Sequence, residues 1–511
     1  MISTTSSNRD QNIKATPYRV NAIGGLALVI YTLARSWLVS GVELGKDEAV
    51  YWYWSQHLDA SYALLPFSLI ALADALMPRG ELFVRMPSIL LGTLAVYWLY
   101  QLCRDSGLSL SRARWAAAAF ALSHWAWHTS SYLHPDVYLT TCWLLALRRA
   151  MRFRATHSTR DALYMGAACG AAVLCKYSGA FLTAGLGLWL LYACPQKQRT
   201  NALSAFVIAS LCVAAPLIHA QISTAFYLPQ TLSTLSKIEP LTHSLARLLF
   251  FAVNPLLFVS PLLLYLLYRA LLYALHRAKR APNADLLLAL LPTLCTLGAF
   301  LFFALSRGQI KGNWILVGFL SLWPLAFSLP VRRGLYIALI ASGLVQALAI
   351  GLGLKYPGSV RRWVFASALD ASYVGLVSQA DRRREPSYSW SERLCEYSGW
   401  KAFSRDVEAL VRERGIAADT PLVSNQYSIP FSMAYYAFTP RPYYTVDDPR
   451  FRDLTDLGRA SAPQQSLLFA ARGTLPPESA LGRRLHHRHL GHIERSSNGC
   501  APVRYDLYLL E

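Results

Sequence analysis

Lys46, Asp47 and Glu48 stand in "GVELGKDEAVYWYWSQHL" (41–58), directly after the first strongly apolar stretch and directly before Tyr51, Trp52, Tyr53 and Trp54. Further along, "LFVRMPS" carries Arg85, "SSYLHPDVYLTTCW" carries His134 and Asp136, "VLCKYSGAF" carries Lys176, and "SRGQIKGNW" carries Arg307 and Lys311. Two or three carboxylates and several cations suit chemistry on a phosphorylated lipid. Cations bind a phosphate and stabilise it as a leaving group. A carboxylate takes the proton from an attacking hydroxyl. Each residue also has a plain structural reading. Asp47 and Glu48 suit the N-terminal dipole of an interfacial helix, whose Trp/Tyr cluster would lie at headgroup depth. Asp136, just after Pro135, reads equally as a helix N-cap. Lys176 has no acidic neighbour in sequence; it and Arg85 read either as phosphate ligands or as chains that snorkel to the interface. Arg307 and Lys311 read either as part of the set or as loop charges.

The elements that would position these groups are membrane helices. The chain has 511 residues, 54% of them hydrophobic and 15% charged, against roughly 25% charged in an ordinary soluble protein. A crossing needs about 20 apolar residues. Spans are expected near 20–40, 82–102, 113–132, 136–151, 162–175, 179–194, 201–219, 246–268, 286–305, 313–329 and 334–353. The stretch 60–77, which begins around Tyr62, reads as a re-entrant or interfacial helix. Loops with clustered basic residues, such as Arg148 to Arg160 and Arg277 to Arg280, alternate with sparsely charged ones. The positive-inside rule then gives about eleven spans, with the N-terminus cytoplasmic and the C-terminus outside. On that topology Lys46–Glu48, His134–Asp136, Lys176, residues 220–245 and Arg307–Trp314 share the outer face.

The net charge of +20 does not indicate a nucleic-acid partner. Residues 355–511 hold 21 Lys+Arg and 17 Asp+Glu, a net of +4, so the remaining +16 lies among the apolar segments of 1–354, where basic residues set topology. Residues 355–511 read as a small α/β domain outside the cytoplasm. "WKAFSRDVEALVRER" (400–414) has helical spacing, with Phe403, Val407, Leu410 and Val411 on one face. "PLVSN", "PYYTV" and "SLLFA" read as short strands. The His-rich "RRLHHRHLGH" (483–492) has no fixed ligand spacing and reads as a solvated basic turn. The aromatic run "MAYYAFTPRPYYTV" reads either as packed core or as the lining of a carbohydrate site. Seven of the nine cysteines precede residue 300, in or near apolar runs. Cys395 and Cys500 fall in the C-terminal domain, where a disulfide depends on the compartment.

The ordered series of motifs resembles the membrane-integral GT-C glycosyltransferases, in the bacterial branch related to protein O-mannosyltransferases and lipid A aminoarabinose transferases. "KDEAVYWYWSQHL" resembles the acidic first-loop motif and "LFVRMPSILLG" the segment after it. "HPDVYLTTCWLLAL" resembles the second-loop acidic motif, "GAACGAAVLCKYSGAFL" a glycine-rich helix ending in Lys, and "KGNWILVGFLSLWPLAF" a later Asn-Trp segment. "SNQYSIPFSMAYYAF" resembles a segment of the extracytoplasmic domain. Where the family often has His-Pro-Pro, this chain keeps Pro66 behind Leu64 and Leu65.

The resemblance implies an α-helical polytopic membrane protein of GT-C type, with residues 1–354 catalytic and 355–511 a periplasmic α/β domain, in a bacterial inner membrane. It implies inverting transfer of a sugar from a polyprenyl-phosphate carrier, such as undecaprenyl phosphate, to a hydroxyl or phosphate on an envelope glycan, glycolipid or protein. Asp47 is then the general base, Glu48 its support, and Asp136 a shaper of the donor or acceptor site. Arg85 and Lys176 face the carrier phosphate, with Lys46, Tyr62, His134, Arg307 and Lys311 completing the donor side. The resemblance requires no nucleotide sugar; a divalent metal stays open. Two other classes compete. A lipid flippase or transporter would show inverted repeats and midplane charges, and no repeat is visible. A non-catalytic envelope scaffold would rely on the C-terminal domain alone.

Overall fold

The computed structural model describes residues 22–57, 62–224, 244–307 and 312–359. In the C-terminal region it describes 395–424, 428–437, 441–445, 467–472, 487–496 and 502–510, with single positions 426, 439 and 500. The helices run α1 (Ala22–Val39), α2 (Lys46–His57), α3 (Leu64–Leu76), α4 (Glu81–Asp105), α5 (Leu110–Ala121), α6 (His124–Ser131), α7 (Pro135–Thr156), α8 (Thr159–Cys175), α9 (Gly179–Ala193) and α10 (Gln196–Thr224). They continue as α11 (Ser244–Val253), α12 (Pro261–Arg280), α13 (Ala284–Arg307), α14 (Gly312–Leu316), α15 (Trp323–Ser328), α16 (Arg333–Lys355), α17 (Trp400–Glu413) and α18 (Ser428–Tyr436).

Five of the described helices are long and apolar enough to cross a membrane: Ala22–Val39, Glu81–Asp105, Gln196–Ile222, Ala284–Leu305 and Arg333–Lys355. These five are fewer than the about eleven spans expected; several of the other described helices are short or broken. The stretch 113–132 divides at Leu122–Ser123. The Ser123 hydroxyl caps α6 by accepting from the Ala126 N–H, and the Trp125 N–H leaves the helix to reach the Phe258 carbonyl at 2.7 Å. The stretch 246–268 is interrupted by the 3-10 turn Asn254–Leu257 before Ser260 caps α12. The stretch 313–329 becomes α14, a 3-10 turn over Val317–Leu322, and α15.

Two compact units emerge. The first takes residues up to Arg35, Asp59–Pro66 and Pro87–Ala347. Small residues let its backbones approach. A Cβ on Gly166 would sit 2.1 Å from the Phe206 carbonyl oxygen, and one on Gly170 2.5 Å from that of Ser210. The Ser210 hydroxyl donates to the Gly166 carbonyl at 3.0 Å across the same α8–α10 seam. Ile23, Leu26, Val29, Ile30 and Leu33 of α1 remain exposed, as an apolar surface meant for lipid rather than water does. Arg35 is buried, giving its Nη1 to the Ser130 hydroxyl and carbonyl and its Nη2 to the Ile89 carbonyl and the Thr93 hydroxyl.

The second unit takes Ser36–Leu58, Phe67–Met86 and Leu348–Glu511. Its sheet has the order β2-β1-β3-β5-β4, from β1 (Leu422–Ser424), β2 (Tyr443–Thr445), β3 (Leu467–Arg472), β4 (His487–Arg495) and β5 (Val503–Leu510). β1 pairs in parallel with β2 and β3; β5 runs antiparallel to β3 and β4. The three expected strands and the helix at 400–414 are present. Of the His-rich stretch, 487–492 lie in edge strand β4 rather than in a turn, and 483–486 lie outside the described residues. Its Arg488, His489 and His492 are exposed while Leu490 and Ile493 are buried, and a charged outer face suits an edge. Trp400 and Phe403 pack on Tyr505.

Cys395 and Cys500 are joined in a disulfide across 105 residues of chain. A closed loop of that size strongly restricts the unfolded state. Cys395→Ser is expected to lower stability by roughly 2–4 kcal/mol, read as an earlier urea transition of the C-terminal region. An unchanged midpoint would show the bridge to be dispensable.

Candidate active site

Asp47 and Glu48 are neighbours in sequence but lie on different faces of α2, because successive helix residues do not share a face. Glu48 is 2% exposed; Asp47 is exposed on the first turn of α2. Glu48 closes the start of the helix from its third position. Its Oε2 accepts the Gly45 N–H at 3.0 Å, while the Gly45 carbonyl accepts from Ala49. This is half of a capping box with glycine in place of the usual hydroxyl residue. A Cβ on Gly45 would meet the Tyr397 ring at 2.5 Å, so a larger residue there would have to displace that ring.

Arg85 supports the arrangement from below. Its Nε donates to Glu48 Oε1 at 2.8 Å and its Nη2 to Glu48 Oε2 at 2.6 Å. The remaining donors go to the carbonyls of Val39 (3.2 Å), Val42 (2.7 Å) and Glu43 (2.9 Å). A guanidinium has five N–H donors, and these bonds account for all five in a side chain of zero exposure. Arg85 therefore ties the end of α1 and the first turn of α2 to one point.

The same loop is held by C-terminal residues of its own unit. Glu43 accepts from the backbone N–H of Trp400 and of Lys401, the first two residues of α17. Burial pushes the Glu43 carboxyl above the usual range, against the pull of those two N–H groups. The Tyr436 hydroxyl accepts from the Leu44 N–H at 2.7 Å and donates to Glu81 at 3.2 Å. Burial raises that phenol well above its ordinary range, so it remains a donor. Lys46 lies 3.5 Å from Glu396.

In the first unit, Asp136 gathers a second set. Lys176 Nζ donates to its Oδ1 at 2.6 Å and Asn313 Nδ2 to its Oδ2 at 2.8 Å. Asp136 is 2% exposed. The N-cap of α7 is His134 rather than Asp136: the His134 Nδ1 accepts the Asp136 N–H at 3.2 Å. A nitrogen that accepts carries no proton, so the 3.6 Å approach of that nitrogen to Asp136 is not an ion pair. Lys176, which sequence left without an acidic neighbour, follows α8 and lies 5.6 Å from the Trp314 ring centre. One of its three N–H donors goes to Asp136. The partly exposed ammonium keeps the capacity to meet a phosphate beside an aromatic face. The Tyr62 ring lies 5.6 Å from that of Tyr177, next in sequence to Lys176.

Arg307 ends α13, and Lys311 lies outside the described residues, as does 225–243 of the expected outer loop. Sequence reading missed Asn313 and Glu43 as positioning groups. Asn313 was present in the quoted Asn-Trp segment, and an amide in an apolar context was the available signal. Glu43 offered none, because its partners are more than 350 residues away. Among the described residues no group of three or more His, Cys, Asp or Glu side chains is placed to hold a metal ion.

Comparison with known proteins agrees with this architecture. Residues 61–219, which include Arg85, Asp136 and Lys176, match the family model described as dolichyl-phosphate-mannose-protein mannosyltransferase. No curated protein matches the chain. Among solved structures, ArnT from Cupriavidus metallidurans, bound to undecaprenyl phosphate, is similar over 96% of this chain and 98% of its own. The TM-score is 0.61 and the identity 14%. The Saccharomyces cerevisiae protein O-mannosyltransferase Pmt1–Pmt2 complex, bound to the sugar donor, aligns with 44% of this chain and 36% of its own (identity 19%, TM-score 0.33). The Archaeoglobus fulgidus oligosaccharyltransferase aligns with 86% and 67% (identity 12%, TM-score 0.48). The last two are too distant in shape to carry the fold comparison. The chain therefore shares the fold of ArnT. Residues 61–219 are similar to the dolichyl-phosphate-mannose-protein mannosyltransferase model, and the fold is similar to that of ArnT.

Proposed function

We propose that this protein transfers a sugar from a polyprenyl-phosphate carrier to an acceptor hydroxyl or phosphate on an envelope glycan, glycolipid or protein. One observation carries this reading. Within the matched segment, Asp136 and Lys176 stand forty residues apart in sequence yet meet at 2.6 Å in an apolar helical body. Ionisable groups in such a body are costly and mark function.

The reaction is inverting. For a hydroxyl acceptor, its oxygen attacks the anomeric carbon and forms the new glycosidic bond. The bond from that carbon to the phosphate oxygen breaks, and the lipid phosphate departs with the electron pair. Asp47, exposed on a rigidly closed helix start, takes the hydroxyl proton. Lys176 carries the phosphate charge, and Asp136 with Asn313 orients Lys176. Glu48 and Arg85 hold the α2 start that presents Asp47; with all five donors occupied, Arg85 acts by positioning. The extracytoplasmic face is supported by the basic loops on the opposite side and by the disulfide of the C-terminal domain. Residues 1–354 then form the catalytic membrane domain and 355–511 the periplasmic one.

The protein in nanodiscs is expected to bind undecaprenyl phosphate and to release it from a sugar-loaded carrier when acceptor is present. Lys176→Ala is expected to weaken undecaprenyl phosphate binding by roughly tenfold or more, the worth of one charge-assisted contact. Undiminished affinity in Lys176→Ala would remove Lys176 from the donor site. Failure of the wild type to consume any loaded carrier would overturn the function.

A further inference from the structure

The C-terminal half of α2 opens on a cleft of about 390 Å³ inside the second unit. Small-molecule sites run from about 300 to 1,000 Å³. Trp52, Tyr53, Gln56 and His57 line one wall; Thr439 and Tyr443 belong to the other. Gln56 and His57 are exposed and Tyr53 is half-buried, so the aromatic wall ends in polar groups that reach solvent.

The walls are fixed. Trp52 is wedged against Tyr435 at 4.9 Å between ring centres and donates its Nε1 to Asp74 at 3.0 Å. Tyr53 packs on Phe431 at 4.9 Å and on His57 at 4.3 Å, and the Tyr53 carbonyl lies 2.9 Å from the His57 Nδ1. Across the cleft, the Thr439 hydroxyl is 2.8 Å from that of Tyr443.

Charge selects the ligand. Arg441 is the lining residue with a permanent charge among those described, and it is 3% exposed. Its Nη2 donates to Glu408 at 2.7 Å and its Nη1 to the Thr420 carbonyl at 3.0 Å. Its charge is thus neutralised within the protein. The cleft offers aromatic faces, hydroxyls, an amide and an imidazole, and no uncompensated cation for a phosphate or carboxylate.

We infer that this cleft binds a neutral sugar ring of the acceptor, its apolar face on the aromatic wall and its hydroxyls toward Gln56, His57 and Thr439. The inference rests on the proposed glycosyl transfer and narrows it: the acceptor is itself carbohydrate-bearing. Asp47 and Gln56 lie nine positions apart on α2, roughly 14 Å along the axis at 1.5 Å per residue. An acceptor glycan held in the cleft would therefore be gripped at a ring removed from the one that receives the new sugar.

The test uses the full-length protein in nanodiscs, immobilised and offered two probes: the neutral and the anionic oligosaccharide fractions released from the envelope of the cells that express it. Retained glycans are quantified by mass spectrometry. The wild type is expected to retain neutral oligosaccharides, and Tyr53→Ala and the surface change Gln56→Ala each to retain about tenfold less, as loss of a stacking or hydrogen-bonding contact implies. Undecaprenyl phosphate binding should be equal in all three. Retention of the anionic fraction alone, or equal retention by wild type and both variants, would overturn the inference. Carrier turnover separates the two readings. Neutral glycans retained without any consumption of loaded carrier would sink the transfer reaction while sparing the binding cleft. Transfer with an acceptor KM unchanged in both variants would do the reverse.

Discussion

Asp47→Asn is expected to lower sugar transfer by about 10²–10⁴-fold, the usual contribution of a general base, with no loss of expression, membrane insertion or thermal stability. The two halves of this expectation come from one geometry. Asp47 is exposed at the start of α2, so the charge is removed at a solvent-facing position. Its neighbour Glu48 carries the structural bonds. Glu48→Gln is the contrasting case, because it removes the partner of a buried guanidinium and should act mainly through stability. Initial rates with saturating carrier, alongside melting curves in detergent, distinguish the two variants. Wild-type transfer in Asp47→Asn would move the base elsewhere.

Arg85→Met is expected to be the most destabilising single change in the second unit. It leaves Glu48 as an unpaired buried carboxylate, and breaking one side of a buried pair costs about 3–5 kcal/mol. It also deprives the carbonyls of Val39, Val42 and Glu43 of their shared donor. Pairing it with Glu48→Met should recover only part of the loss, since the guanidinium's bonds to the three carbonyls stay lost. Full recovery in the double variant would show that the pair alone, and not the carbonyl clamp, is what Arg85 provides. Limited proteolysis of the α1–α2 connection and thermal unfolding both read this out.

Much of the helical framework was legible because long apolar runs have few alternatives. α1, α4 and α16 lie within three residues of the expected spans. The breaks were not legible, because they depend on distant partners. The division between α5 and α6 exists where the Phe258 carbonyl takes the Trp125 N–H, more than 130 residues away in sequence. The same limit governs the site. Sequence placed Asp47, Glu48, Arg85, Asp136 and Lys176 on one candidate surface but could not separate the exposed carboxylate from the buried one. Nor could it find the Asp136 partner of Lys176. The β4 strand was hidden for another reason. Its His- and Arg-rich sequence has the polarity of a turn, and it becomes a strand only through its register with β5, Ile493 opposite Tyr505. The grouping of the first loop with the C-terminal sheet in one unit rests on bonds such as Glu43 to Trp400, which no local pattern announces.

The most direct measurement is mass spectrometry of the envelope lipids, polysaccharides and glycoproteins of a strain lacking this gene. It is compared with the same strain carrying the wild-type gene or Asp47→Asn at matched protein levels. One glycan or glycolipid is expected to be lighter by a sugar residue in the deletion strain, restored by wild type and not by Asp47→Asn. An envelope identical in all three strains, with the protein demonstrably expressed, would contradict this expectation.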